Sequence, residues 1–389
     1  MATRISSAVP RARGMMLAAV SRPAAVGLQQ RWLSLSASRQ TSHVITFSKS
    51  VSPEIKDELQ KIRDEIILPT YLAPEQQKMI YNPKYEKKLQ KNPITMEIDG
   101  EVVNFGYRDR MAMPNTQVLM RHVAKGMKTP ADFNNLSALL EGVVKQAHRK
   151  LHKDVLEKFV VQAQYSGCMK VIMDCVTNAK KTGFKPNTPR LIDTLVTAIQ
   201  RDAIDSGFSM KKTEQARRRI QTVLEILEVN ELEKVRRNTK TTGPTIVLHR
   251  DPTTLAARLH MAAAMAAKHY DGKDLDGSVT KYAEELVQLW PEGKGLGNLY
   301  PAEYYKRNEL MRHLAFRPRF FGVAAAIANG FLLAAEVVTA PELASQLRTR
   351  GATVKAEAEA LLATAAGDNS RSTELFNKLF GEQKEAVKA

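Results

Sequence analysis

Cysteine is nearly absent from this chain, with two in 389 residues. That excludes a disulfide-stapled scaffold and a cysteine-rich zinc module. Aromatic residues are scarce at 6%, and no aromatic string of the kind that stacks successive bases is present. The most apolar stretch, Phe320 to Ala335, falls short of the roughly 20 residues a membrane span needs. It reads as a buried helix. Catalytic signatures are missing too. Gly293 to Gly297 lacks the Gly-Lys-Ser/Thr of a phosphate loop, and no Gly-x-Ser-x-Gly occurs. Asp271 to Gly277 lacks the first and twelfth ligands of a calcium loop and reads as a turn. His148 and His152 are four apart without the adjacent Glu of a zinc protease, so they read as surface histidines. Cys168 and Cys175, two helical turns apart, read as core residues. No enzyme activity, cofactor or metal is expected.

Acidic residues are also missing from one place. None precedes Glu54, whereas Arg4, Arg11, Arg13, Arg22, Arg31, Arg39 and Lys49 lie among Ser, Ala and short apolar runs. An Arg-rich, Ser-rich, acid-free start describes a mitochondrial transit peptide. Residues 1–40 are assigned to it, with Arg31-Trp32-Leu33-Ser34 resembling a processing site and cleavage expected between about 33 and 43. The expected location is the mitochondrial matrix.

What the chain has in excess is positive charge. Lys and Arg number 58 against 41 Asp and Glu, a net +17 with pI near 9.7. Removing residues 1–33 takes five arginines and no acid, leaving about +12 on the mature chain. Such a balance favours phosphate polyanions or anionic lipid as partners.

Hydrophobic periodicity makes the chain mostly α. Helices are expected from Ser52 to Ile67 and near 115–127, 130–147, 153–165, 168–182, 188–205, 210–229, 252–269, 276–290, 301–313, 318–338, 341–364 and 371–385. Pro69, Pro74, Pro83 and Pro93 punctuate a Tyr- and Lys-rich stretch that reads as an extended arm. Ile94 to Phe105 alternates around Asp99-Gly100, a β-hairpin signal. Four segments result: the transit peptide, an arm with hairpin over 41–113, a helical region over 114–240 and a second all-α region over 241–389. Thr241 to Pro244 marks the internal boundary.

Basic residues concentrate between Lys180 and Lys240, with 14 Lys and Arg against 8 Asp and Glu. Candidate RNA-contacting residues are Lys180, Lys181, Lys185, Arg190, Lys211, Lys212, Arg217, Arg218, Arg219, Arg236 and Arg237. The alternative is a solvated face held by pairs such as Glu214 with Arg218 at i,i+4. Two further sets are Lys145, Arg149, Lys150 and Lys153, and Lys306, Arg307, Arg312, Arg317 and Arg319. Contact through these would be mainly to backbone phosphate and salt-sensitive.

Asp154 to Asn187 resembles a pentatricopeptide-type helical hairpin, with Gly167 and Gly183 at the family's spacing and a Gly-Phe-Lys-Pro-Asn exit. Arg190 to Leu195 resembles the first helix of a following unit and Phe133 to Leu140 that of a preceding one. The fold implied is an irregular array of such hairpins, with one small β-hairpin and the extended arm. Import, basic balance, helical architecture and the lack of a catalytic constellation together resemble a mitochondrial ribosomal protein of the lineage-specific, fungal type. That resemblance implies a scaffolding component bound to rRNA and neighbouring ribosomal proteins. Two alternatives stay open: a pentatricopeptide-like factor acting on mitochondrial mRNA, and a respiratory-complex assembly factor at the inner membrane.

Overall fold

The computed structural model describes residues 44–48, 51–98, 100–236, 245–363 and 371–381. The transit segment, Thr241 to Pro244, Asp99 and Arg237 lie outside the described residues.

Helix α1 (Pro53–Ile62) starts with Pro at its first position, where the missing N–H costs nothing. It buries Ile55, Leu59 and Ile62, then loosens into a π-type turn over Arg63–Ile67. The proline-punctuated stretch that follows is not an extended arm. It folds into α2 (Pro74–Ile80) and α3 (Glu86–Lys91) with single 3-10 turns between. Pro69, Pro74 and Pro83 each occupy a first or second helical position, so they begin turns rather than forbid them. Strands β1 (Ile94–Ile98) and β2 (Glu101–Phe105) form the antiparallel hairpin, with Ile94 opposite Phe105 and Ile98 opposite Glu101. It does not stand alone. Phe105 joins Val44, Leu68, Leu72, Ile80 and Leu89 in a small apolar cluster, the support a lone hairpin needs.

From α4 (Thr116–Gly126) onward the described residues contain helices and turns but no strand: α5 (Pro130–Phe133), α6 (Leu136–Leu140), α7 (Lys153–Tyr165), α8 (Met169–Thr177), α9 (Ala179–Thr182), α10 (Pro189–Asp205), α11 (Met210–Arg236), α12 (Pro252–His269), α13 (Ser278–Leu289), α14 (Arg317–Val337), α15 (Pro341–Ala363) and α16 (Arg371–Phe380). The helix expected over 301–313 is absent, replaced by single 3-10 turns at Tyr304–Lys306 and Arg312–Ala315. There Tyr300 donates its hydroxyl to the Asp251 carboxylate and Tyr305 donates to the Leu296 carbonyl at 2.5 Å. These tertiary bonds outweigh helix periodicity in so short a segment.

The hairpin of α7 and α8 ends on two left-handed glycines, Gly167 at φ +66° and Gly183 at φ +71°. At Gly183 a Cβ would fall 2.3 Å from Val144, so only glycine fits there. Cys168 and Cys175 are both buried, and burial pushes the Cys175 thiol up to about 12. His148 and His152 do not share a helix. His148 sits in a loop with φ +51°, and His152 caps α7.

One large core takes in residues from Ile45 to Phe380. Its centre is the contact of α12 with α14, two helices built largely from Ala. A Cβ on Gly330 would lie 2.7 Å from the His260 Cβ and 3.0 Å from its Cα. His260, fully buried, bridges three helices: its Nδ1 lies 3.0 Å from Gln200 Nε2 on α10 and its Nε2 lies 2.9 Å from Asn329 Oδ1 on α14. The amide nitrogen can only donate and the amide oxygen only accept, so the ring is neutral with its proton on Nε2. Burial drives its pKa down to about 4, consistent with that form. Helix α14 is long and apolar enough to cross a membrane, yet 83% of its most apolar window is buried inside the protein.

The N-terminal segment is tied down by Asp132. Its carboxylate accepts the Ser52 amide at 2.9 Å, the Ser52 hydroxyl at 2.9 Å, and the Lys128 and Thr129 amides at 3.1 and 2.9 Å. Burial alone would raise this pKa, but those hydrogen bonds lower it from 3.8 to about 2. A depressed carboxylate stabilises above its unfolded pKa and loses that contribution as pH falls toward 2. Asp132→Asn should therefore cost about 2 kcal/mol near neutral pH, with the gap to wild type closing below about pH 3 in acid titrations of thermal stability. Gly330→Val should lower stability by about 1–3 kcal/mol by forcing α12 and α14 apart, measured by urea unfolding.

Candidate nucleic-acid interface

The candidate cations from Lys180 to Arg219 come from four elements, and the structure divides them by partner. Lys180 and Lys185 flank the left-handed turn at Gly183 and are exposed. Lys181 reaches Glu141 at 3.1 Å. Arg190, in the first turn of α10, holds the buried Glu157 carboxylate of α7 at 2.8 Å. Arg319 of α14 grips the same Glu157 oxygen at 2.8 Å, so two arginines far apart in sequence meet on one carboxylate.

On α11 the three consecutive arginines fan around the helix, as 100° per residue requires. Arg217 binds Glu214 at 2.8 Å and approaches Asp276 at 3.8 Å. Arg218 binds Glu214 at 2.6 Å while its side chain stays 77% exposed. Arg219 turns inward to Asp202 of α10 at 3.2 Å, and Lys212 reaches the same carboxylate at 3.4 Å. These pairs hold Glu214 below its ordinary range, chiefly through the Arg217 hydrogen bond. Lys211 is exposed and makes no ion pair among the described residues. The side chain of Arg236, like all of Arg237, lies outside the described residues.

Chemically, a guanidinium already bonded to a carboxylate must exchange that partner to take a phosphate. Arg190, Arg217, Arg219 and Lys212 therefore join elements of the fold, whereas Lys180, Lys185, Lys211 and the outer side of Arg218 face solvent. The Glu214–Arg218 pair at i,i+4 was legible in the sequence. The Glu157 and Asp202 junctions were not, because their members lie on different helices.

Other motifs settle into structural roles. Asp274 accepts the Val279 and Thr280 amides at 3.2 and 2.9 Å and caps α13. In the glycine-rich loop, the Gly297 amide donates to Glu357 at 2.9 Å and the Trp290 indole donates to the Lys294 carbonyl at 2.8 Å. The first ties the loop to α15 and the second closes the loop on itself.

A family model described as mitochondrial ribosomal protein mS27 matches residues 31–379. The chain belongs to that family. Small ribosomal subunit protein mS27 of Neurospora crassa is 35% identical over 387 residues, covering 94% of this chain and 95% of the relative. The resemblance to a fungal-type mitochondrial ribosomal protein is thus met, and this mS27-family chain is a structural component of the mitochondrial ribosome. Membership also takes precedence over the free mRNA factor and the respiratory assembly factor as readings of the same features.

The division of cations makes a testable difference. Arg219→Ala should lower stability by about 1 kcal/mol, since it leaves the half-buried Asp202 short of a partner. Lys185→Ala should leave the melting temperature unchanged, because no internal partner is lost.

Proposed function

We propose that the chain is imported into the mitochondrial matrix and assembles into the small ribosomal subunit as a non-catalytic scaffold. The observation that carries this is the family match over residues 31–379, joined by a small-subunit relative aligned along nearly the whole chain. Support for import comes from the acid-free, Arg-rich start, most of which precedes the family match. The described core begins at Val44 and Ile45, both buried, with the Ile45 amide near the Tyr71 hydroxyl and the Ser48 amide bonded to Asn135 at 2.7 Å. Processing between about 33 and 43 would spare all of these contacts.

In the assembly, exposed cations meet rRNA phosphate while apolar surface meets neighbouring proteins. Lys180, Lys185, Lys211 and Arg218 are the members of the sequence-derived set best placed for phosphate. Residues 44–113, with their own small apolar cluster and hairpin, form the element suited to a neighbouring protein: Val102 and Met111 are 66% and 91% exposed.

Sucrose-gradient sedimentation of mitochondrial lysate tests the proposal. The chain should travel with the small subunit at moderate salt, leave that position when magnesium is removed, and begin between residues 33 and 43 by mass spectrometry. Migration as a lone monomer at all magnesium concentrations would refute it.

A further inference from the structure

A second group of cations without ion pairs among the described residues lies away from α11. They surround a pocket of about 770 Å³ formed where the end of α2 and the segment after β2 meet the loop before α7. This volume lies within the roughly 300–1,000 Å³ typical of sites for small organic groups. Tyr81 lines it, and the Arg110 guanidinium lies 5.7 Å above the Tyr81 ring centroid. His148, Arg149 and Lys150, from the loop before α7, line it as well. Arg108, two residues before Arg110, does not line the cavity, and one of its guanidinium nitrogens is buried with no hydrogen-bond partner. Burial pushes the Tyr81 hydroxyl up, and the charges of Arg108, Arg149 and Arg110 oppose that shift. None of Arg108, Arg110, Arg149 and Lys150 makes an ion pair among the described residues. The acid beside them, Asp109, bonds the Met111 amide at 2.9 Å.

The walls are held in place from outside. The Arg108 amide donates to the Ile80 carbonyl at 2.7 Å, fastening the strand exit to the end of α2. The Gln117 side chain donates to the Lys150 carbonyl at 2.6 Å and accepts the His152 amide at 3.0 Å. The Arg149 amide reaches the Val143 carbonyl at 2.9 Å past His148, whose φ of +51° is a strained value for a side-chain-bearing residue. The fold thus sustains a locally unfavourable backbone while presenting uncompensated cations to one cavity.

We propose that this pocket receives one unpaired nucleotide of RNA, its phosphates against Arg149 and Lys150 and its base on the Arg110 plane backed by Tyr81. Unpaired RNA bases are held on aromatic rings or guanidinium planes, with phosphates on flanking cations. An acidic protein segment would use the charges but leave the Arg110–Tyr81 platform idle. This inference rests on the ribosomal reading above and gives that reading a contact point away from α11.

The test uses the processed full chain and two fluorescent probes, a short single-stranded RNA of mixed sequence and an abasic strand of equal length. R110E/R149E should weaken RNA binding about tenfold or more at moderate salt, with an unchanged circular-dichroism melt. Y81L should weaken binding of RNA several-fold and leave the abasic strand unaffected. If the charge-reversed chain does not fold, the Y81L comparison decides alone. RNA binding by folded R110E/R149E equal to wild type would overturn the proposal. So would Y81L weakening both probes equally, or a polyglutamate peptide displacing RNA while Y81L changes nothing. Failure of the wild-type chain to sediment with the small subunit would instead sink the ribosomal reading. Sedimentation with the subunit while R110E/R149E binds RNA normally would sink the pocket alone.

Discussion

Everything in the C-terminal half depends on how closely α12 and α14 approach. Alanine and glycine on the facing sides bring the two backbones together until a Cβ on Gly330 would press against the backbone of His260. Small residues contribute little apolar area each, so stability here comes from dense van der Waals contact along two long helices. Burial makes the polar atoms within this contact demanding. His260 meets that demand by donating to Asn329 and accepting from Gln200. The same bridge fixes α10 against α12, and through α10 the hairpin of α7 and α8. Helix α15 repeats the device: a Cβ on Gly351 would touch the Phe331 Cβ at 3.0 Å. A three-helix junction of small residues with one satisfied histidine therefore orders elements on both sides of residues 241–244.

Periodicity alone placed α7, α10, α12, α14 and α15 within about a residue or two at each end, because long amphipathic or Ala-rich segments carry their own signal. Short elements were harder. In residues 68–93 the prolines suggested extended chain, yet a proline at a first helical turn carries no penalty, and composition cannot say which turn it occupies. Over 301–313 the error ran the other way, since helical spacing gave way to the bonds of Tyr300 and Tyr305. The β-hairpin register was readable from alternation. Its partner cluster, built from Val44, Leu68, Leu72, Ile80 and Leu89, was not. For the candidate interface, consecutive basic residues stood out at 217–219, whereas the pocket at Tyr81 unites cations some 40 residues apart in the chain. Only the fold brings Arg110 to Arg149 and Lys150.

A net positive charge overstates what a protein can offer an anionic partner when part of it is already engaged. Glu157 lies buried in α7, and an isolated carboxylate there would be costly. Arg190 and Arg319 share one of its oxygens, joining α7 to α10 and to the start of α14. Asp202 does the same with Lys212 and Arg219, joining α10 to α11. Each junction places two cations on one anion, so a basic excess remains although each cation has a partner. Such cations still contribute to the protein's long-range positive field. They are poor sites for phosphate contact, because a phosphate would have to displace a carboxylate that holds two helices together. On the proposed reading, attraction and contact are thereby separated: paired arginines help bring the polyanion near, and unpaired ones, above all those around Tyr81, bind it.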